Sequence, residues 1–358
     1  MPSSGRFSPD PGTRLPQRVA LGVLLRSFPP PLVDEILDDL GRREQRQRLL
    51  PARLMVYFTL GMWIFRALPY ELILAELLRD APGLAPPVSA QEQASAAAIG
   101  RARRRLGVEP LRRLFEQAGD AAGAAAAPLL RGRRPLRLCD VDVGMPATPA
   151  NLLGFPALAA AHATGPPGHR PERARIRLLV ECGSRRITCA EVVGADQDDR
   201  VPPGVGAEDL LVLDPRPLSA PLWTALEQVG AQVLWPLPES VQLPGGTRLP
   251  DGSVLAKLSA QDGSELFARV LGTGRGTRLA TSLLDHRAAP AGEIAACYDD
   301  PAVAERCFHG IGAYGHDDRL ELRSKDPEMV HQELYAMLCV HSAIGELVGP
   351  DPGDSGCF

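Results

Sequence analysis

The chain has 358 residues, 45% hydrophobic and 23% charged, which is enough apolar material for two ordinary domains, each with its own core. No stretch approaches the roughly 18 consecutive apolar residues of a membrane span, and the opening MPSSGRFSPDPGTR lacks the apolar core of a signal peptide, so a cytoplasmic protein with no membrane partner is expected. The net charge of −4 conceals an asymmetry, because residues 1–137 carry 21 Arg against 13 Asp or Glu, a net of +8, and the remainder sums to −12. A basic front joined to an acidic back suits a nucleic-acid anchor attached to a metal-dependent core. Seven cysteines, odd in number and without CxxC spacing, fit reduced thiols better than a disulfide framework or structural zinc.

Residues 1–17 read as a disordered N-terminus. From Leu21 to Leu78 apolar residues recur at helical spacing, in LGVLLRSF, PLVDEILDDL and PARLMVYFTLGMWIFRALPYELILAELLRD, and Pro31 and Pro51 mark starts. The Pro/Gly run at 81–89 ends the third unit, and QEQASAAAIGRARRRLG forms a further helix. Residues 18–130 are therefore expected to be a helical domain. Its last helical segment carries the densest basic run, Arg101, Arg103, Arg104 and Arg105, followed by Arg112 and Arg113. Such a run either tracks a DNA backbone or forms a solvated face.

After the Ala-rich stretch at 118–135 the period changes to that of strands. RLCDVDV, RIRLLVECG, RRITCAEVV and DLLVLD are short Val/Ile/Leu runs, then the helix PLWTALEQVG precedes the strand AQVLWPL. That alternation predicts a mixed α/β sheet over 131–348, with a β-rich insertion at about 237–283 turned at sites such as Pro250-Asp251-Gly252. Helices return at 290–309 and 327–347, and 349–358 read as a flexible C-terminus. On RLCDVDV, Asp140 and Asp142 are two residues apart and share a face of the strand, either toward a pocket or toward solvent. His309 and His316 form no HxH or HxxxH pair, and nothing in the spacing of Cys139 or Cys307 supports a Cys-His nucleophile.

From about residue 14 to 347 the order of segments resembles transposases of the insertion-element-four family, which are of the DDE type. RVALGVLLRSFPPPLVDEIL, RREQRQRLLPARLMVYFTLGMWIF and SAAAIGRARRRLGVEPLRRLFE are similar to the family's N-terminal half. PATPANLLGFP, the LPDGS turn and LRSKDPEMVHQELYAMLCVHSAI are similar to its catalytic half. The resemblance implies an α+β architecture, a helical N-terminal domain followed by a ribonuclease-H-like mixed sheet. It also implies an Asp-Asp-Glu set holding two Mg2+ or Mn2+ ions, which clamp the attacking and leaving oxygens of a phosphodiester displacement. The implied partner is double-stranded DNA at mobile-element ends, bound by a homodimer that is nucleoid-associated when engaged.

Carried over residue by residue, the second carboxylate is Asp214, which ends DLLVLD. Where the family has Asp-Arg-Gly-Phe, this chain has Asp214-Pro215-Arg216-Pro217, and two prolines imply a reshaped loop. For the first carboxylate, an ungapped count back from Asn151 falls on Cys139, and a shift of one residue gives Asp140. Asp140 and Asp142 are both candidate metal ligands. The family's Tyr, Arg, Glu and Lys on one helix correspond to Tyr298, Pro301, Glu305 and Gly312, so Glu305 is the third candidate catalytic and metal residue while the two cations are lost. Tyr298, Arg323 and Lys325 join the basic helix as candidate DNA contacts. An active transposase, a non-catalytic remnant that keeps the fold, and an unrelated helical-plus-α/β binding protein are the competing expectations.

Overall fold

The computed structural model describes residues 15–44, 46, 48–84, 94–122, 130–164, 172–182, 184, 186–193, 199–238, 241, 243, 245–260, 262–299 and 321–348. Two compact units emerge. The first contains α1 (Leu15–Ser27), α2 (Pro30–Asp39), α3 (Ala52–Ile64), α4 (Tyr70–Asp80), α5 (Ala96–Leu106), most of α6 (Glu109–Ala122) and the last helix, α11 (Pro327–Val348).

Prolines set several of the starts. Pro29, Pro51 and Pro69 precede α2, α3 and α4 in extended backbone, where a missing N–H costs nothing. The single apolar run expected from 51 to 80 is two helices for this reason, with Pro69 placed just before the second. Ser95 caps α5 by accepting from the Ala98 amide at 3.3 Å, and Gly107 ends it at φ +74°, a backbone state that other residues adopt at a cost.

Apart from Arg53, helix α3 is buried from Ala52 through Trp63, and so is central to its unit. It packs against α11, and the Trp63 indole donates to the Glu333 carbonyl at 2.8 Å. Arg103 lies at the middle of a polar knot, 0% exposed. It donates to Gln332 Oε1 at 2.8 Å, Ser324 Oγ at 3.1 Å and Tyr70 Oη at 3.2 Å, while Gln332 returns bonds to the carbonyls of Arg103 and Gly107. Every partner of this buried cation is a neutral dipole, so its removal leaves several dry polar groups unmatched. Arg103→Met is expected to lower stability by about 3 kcal/mol, measured as a reduced urea midpoint with unchanged slope.

The second unit is a nine-stranded sheet in the order β3-β2-β1-β4-β5-β9-β8-β7-β6. Its strands are β1 (Arg134–Met145), β2 (Glu172–Glu181), β3 (Ile187–Val193), β4 (Asp209–Leu213), β5 (Gln232–Leu237), β6 (Thr247–Arg248), β7 (Val254–Ser259), β8 (Glu265–Gly272) and β9 (Arg278–Thr281). Strands β1 to β3 form an antiparallel meander, and β4 and β5 add parallel to β1 across helix α9 (Ala220–Gln228). This is a ribonuclease-H-like sheet. The β-rich segment after β5 continues the same sheet, since β9 pairs antiparallel with β5.

Two apolar clusters cover the faces. One gathers Leu136, Leu138, Leu211, Leu213, Trp223 and Trp235, and the other gathers Leu210, Val212, Leu234 and Ile294 of helix α10 (Ala291–Asp299). Helices α7 (Pro149–Gly154) and α8 (Pro156–Thr164) follow β1, with Thr148 capping the first by accepting from the Asn151 amide. The expected division at 130/131 placed the last helix with the sheet, whereas its apolar residues and Gln332 pack among the N-terminal helices.

Candidate catalytic centre

Strand β1 pairs with β2 without a register shift from Leu136 opposite Glu181 to Met145 opposite Glu172, so its side chains alternate strictly between the two faces. Asp140 and Asp142 fall on the face of Leu136 and Leu138, above the cluster of Trp223 and Trp235. Arg137, Cys139, Val141 and Val143 fall on the other face.

Parallel pairing sets Arg137 beside Val212 and Leu138 beside Leu213, where the ladder ends; its register continued by one residue sets Cys139 level with Asp214. Asp214 shares the face of Leu210 and Val212. Its Oδ1 accepts from Arg137 Nε at 3.0 Å and from Arg137 Nη2 at 2.5 Å; the guanidinium is 6% exposed and the carboxylate 20%. Burial works against the charge on Arg137, yet Asp214 outweighs it and raises the guanidinium's pKa, with Cys139 and Tyr298 acting in the same direction. Burial pushes the Tyr298 phenol up as well, while Arg137 pulls it down. Arg137, Cys139, Asp214 and the α10 residue Tyr298 therefore form one cluster.

Asp140 occupies a separate site on the opposite face. Directly across the ladder, Arg177 donates from Nε to Oδ1 at 3.0 Å and from Nη2 to Oδ2 at 3.3 Å. Arg216 donates to Oδ2 at 2.7 Å, and Arg175 stands 3.8 Å away. Burial alone would raise the Asp140 pKa, but the Arg177 hydrogen bonds and the charges of Arg216, Arg177 and Arg175 hold the carboxyl below its ordinary value. The Asp214-Pro215-Arg216-Pro217 loop explains the third contact, because it turns Arg216 toward Asp140 while its carbonyl accepts from the Trp235 indole at 3.2 Å. Asp142 is exposed and lies across from Arg175 in the ladder.

Strand alternation therefore sets Asp140 and Asp142 on the face opposite Arg137 and its partner Asp214. Glu305, Pro301 and Gly312 lie outside the described residues, as do Cys307, His309 and His316. Among the described residues no three His, Cys, Asp or Glu side chains gather as metal ligands. Among the described residues, the donors at this centre do not fit a pair of hard divalent cations. Asp214 is already neutralised by a guanidinium, and the strand position beside it offers a buried thiol where magnesium would need oxygen.

The candidate DNA contacts divide. Arg103 is wholly buried against α11, donating to Gln332 and to the Met329 carbonyl. Arg104 pairs with Asp326 at 3.1 Å, Arg105 donates to the Leu50 carbonyl at 2.7 Å, Arg112 bridges Glu109 and Glu116, and Arg113 stands 3.7 Å from Glu109. Arg323 is also drawn inward, donating to the Leu68 carbonyl at 3.0 Å and lying 4.8 Å over the Tyr70 ring. Arg101 and Lys325 are exposed. Sequence reading overlooked Arg137, Arg177 and Arg216. The one available signal was alternation, since Arg137 and Cys139 share a face and so do Arg175 and Arg177.

Comparison with known proteins finds similarity to transposases. Residues 18–116 match the family described as insertion element 4 transposase N-terminal. Over 335 residues the chain is 28% identical to the transposase InsG for insertion sequence element IS4 of Escherichia coli strain K12, covering 88% of this chain and 74% of that protein. Along most of its length, then, the chain resembles an insertion-element-four transposase. The cryo-electron-microscopy structure of a piggyBac transposase synaptic complex with hairpin DNA aligns with 92% of this chain and 74% of its own at 12% identity, with a TM-score of 0.43.

Proposed function

We propose that this protein is a non-catalytic transposase relative that binds double-stranded DNA, of the kind found at mobile-element ends, without cutting or joining it. The observation that carries this reading is the cluster on one face of β1, where Cys139 takes the strand position beside Asp214 and Arg137 occupies the Asp214 carboxylate. In the two-metal mechanism of the family, bound Mg2+ or Mn2+ supplies charge neutralisation and an activated nucleophile. Here the guanidinium supplies the neutralising charge permanently, and it brings no water or hydroxyl to activate.

Asp140 does not replace the missing ligand. Its oxygens are saturated by arginines on the far face of the sheet, and an Asp there adds to folding rather than to the centre. The basic N-terminal half supplies the electrostatic attraction that phosphate-dominated binding needs, and dimerisation on paired ends and residence at the nucleoid follow from the same reading.

Incubation of the full chain with labelled element-end DNA and Mg2+ or Mn2+ tests the catalytic half of the proposal. Cleavage and strand transfer are expected at background level, and Asp214→Ala is expected to leave that background unchanged. Metal-dependent cleavage abolished by Asp214→Ala overturns it.

A further inference from the structure

The loop between α2 and α3 opens a cleft of about 750 Å³ lined by Arg42, Arg43, Glu44, Arg46, Arg48 and, from the end of α5, Arg105. Five arginines face one glutamate. That glutamate is already engaged, because both Glu44 oxygens accept the Ala52 amide at 2.9 and 3.0 Å and so cap α3. Arg105 is held to the Leu50 carbonyl and lies 3.7 Å from Glu44, and Arg42 donates one N–H to the Arg105 carbonyl at 3.2 Å. Arg43 pairs with Asp38 at 2.6 Å and reaches Asp34 at 3.4 Å. Among the described residues Arg46 and Arg48 are exposed and stand outside the ion pairs that hold their neighbours.

We infer that this cleft is a phosphodiester-backbone site, with Arg46, Arg48 and the uncommitted N–H groups of Arg42 gripping successive phosphates of duplex DNA. Guanidinium forks match phosphate oxygens in pairs, and a concave surface lined by five arginines and one glutamate keeps an unbalanced positive field. The assignment rests on the proposed DNA binding and moves its anchor. Arg103, Arg104 and Arg105 of α5 are spent on Gln332, Asp326 and Leu50 inside their own unit, whereas Arg46 and Arg48 of the loop are exposed. A backbone grip of this type fixes position without reading base identity, so it predicts equal affinity for unrelated sequences.

The test is fluorescence anisotropy of the full chain with a labelled duplex of about 30 base pairs, across salt from about 50 to 200 mM. Arg46→Ala combined with Arg48→Ala is expected to weaken binding roughly tenfold and to flatten the dependence of log affinity on log salt by about two, while Arg101→Ala changes the slope far less. Retained folding is checked by circular dichroism, and among the described residues the two side chains form no ion pair that the substitutions would break. Tight binding by wild type with an unaltered double variant, or an equal loss in Arg101→Ala, overturns the cleft assignment alone. Failure of the wild-type chain to bind any duplex overturns the proposed DNA binding and the cleft with it.

Discussion

Asp140→Ala is expected to destabilise the sheet unit by about 3 kcal/mol, because it leaves Arg177, 3% exposed, as an uncompensated buried charge beside Arg216 and Arg175. Chemical denaturation of the full chain measures the loss, and Asp140→Asn recovers part of it by keeping hydrogen-bond acceptance. The effect depends on pH with a definite sign. A carboxyl whose folded pKa lies below its unfolded value stabilises at every pH above that unfolded value, about 3.9, and the contribution disappears as pH falls further and the carboxyl takes up its proton. Wild type and Asp140→Asn therefore differ most near neutrality and converge in strong acid. If Asp140 were a vacated metal ligand instead, its removal would relieve repulsion, and the alanine variant would match or exceed wild-type stability.

The second large effect is a gain. Cys139→Asp restores a carboxylate at the strand position beside Asp214, and Arg137→Leu releases the Asp214 oxygens. The double variant is expected to acquire a divalent-cation response, with saturating Mn2+ raising its melting temperature by about 5 °C or more while wild type shows no comparable rise. Adding Asp214→Asn to the double variant removes the response. Without a gain, the face of β1 that carries Cys139 is not where the family's first ligand belongs, and the registration of this centre fails. Both substitutions are needed, since Cys139→Asp alone places a second acid under the same guanidinium and strengthens the clamp.

The broad architecture was legible because it rests on local periodicity. Helical spacing through Leu78, the strand runs RLCDVDV and DLLVLD and the helix PLWTALEQVG all appear where the apolar period places them. The ungapped count falls on Cys139, one residue past the last β1–β4 pair, whereas carboxylate chemistry made Asp140 attractive. What stayed hidden was the far partner of each charge. Arg177 and Arg216 meet Asp140 from 37 and 76 residues away, and no local pattern distinguishes an arginine that salt-bridges a strand aspartate from one that faces water.

The same limit applied to the N-terminal half. RARRR reads as a basic face, yet Arg103 turns inward because Gln332 of α11 and Ser324 just before it meet it from more than 220 residues away. The apolar stripe of α11 announced a buried helix but not the unit that buries it. Helices α7 and α8 were missed because PATPANLLGFP is short and Pro-rich, and its helical start depends on the Thr148 cap.

Calorimetric titration of Mn2+ into the unmodified chain, run beside Asp214→Asn, addresses the central claim most directly. With Arg137 on Asp214 and a thiol at position 139, the two traces should coincide and show no saturable heat. Saturable binding in wild type that disappears in Asp214→Asn, or in Glu305→Gln, would mean that the cation site survives and that the protein retains the means to cut DNA.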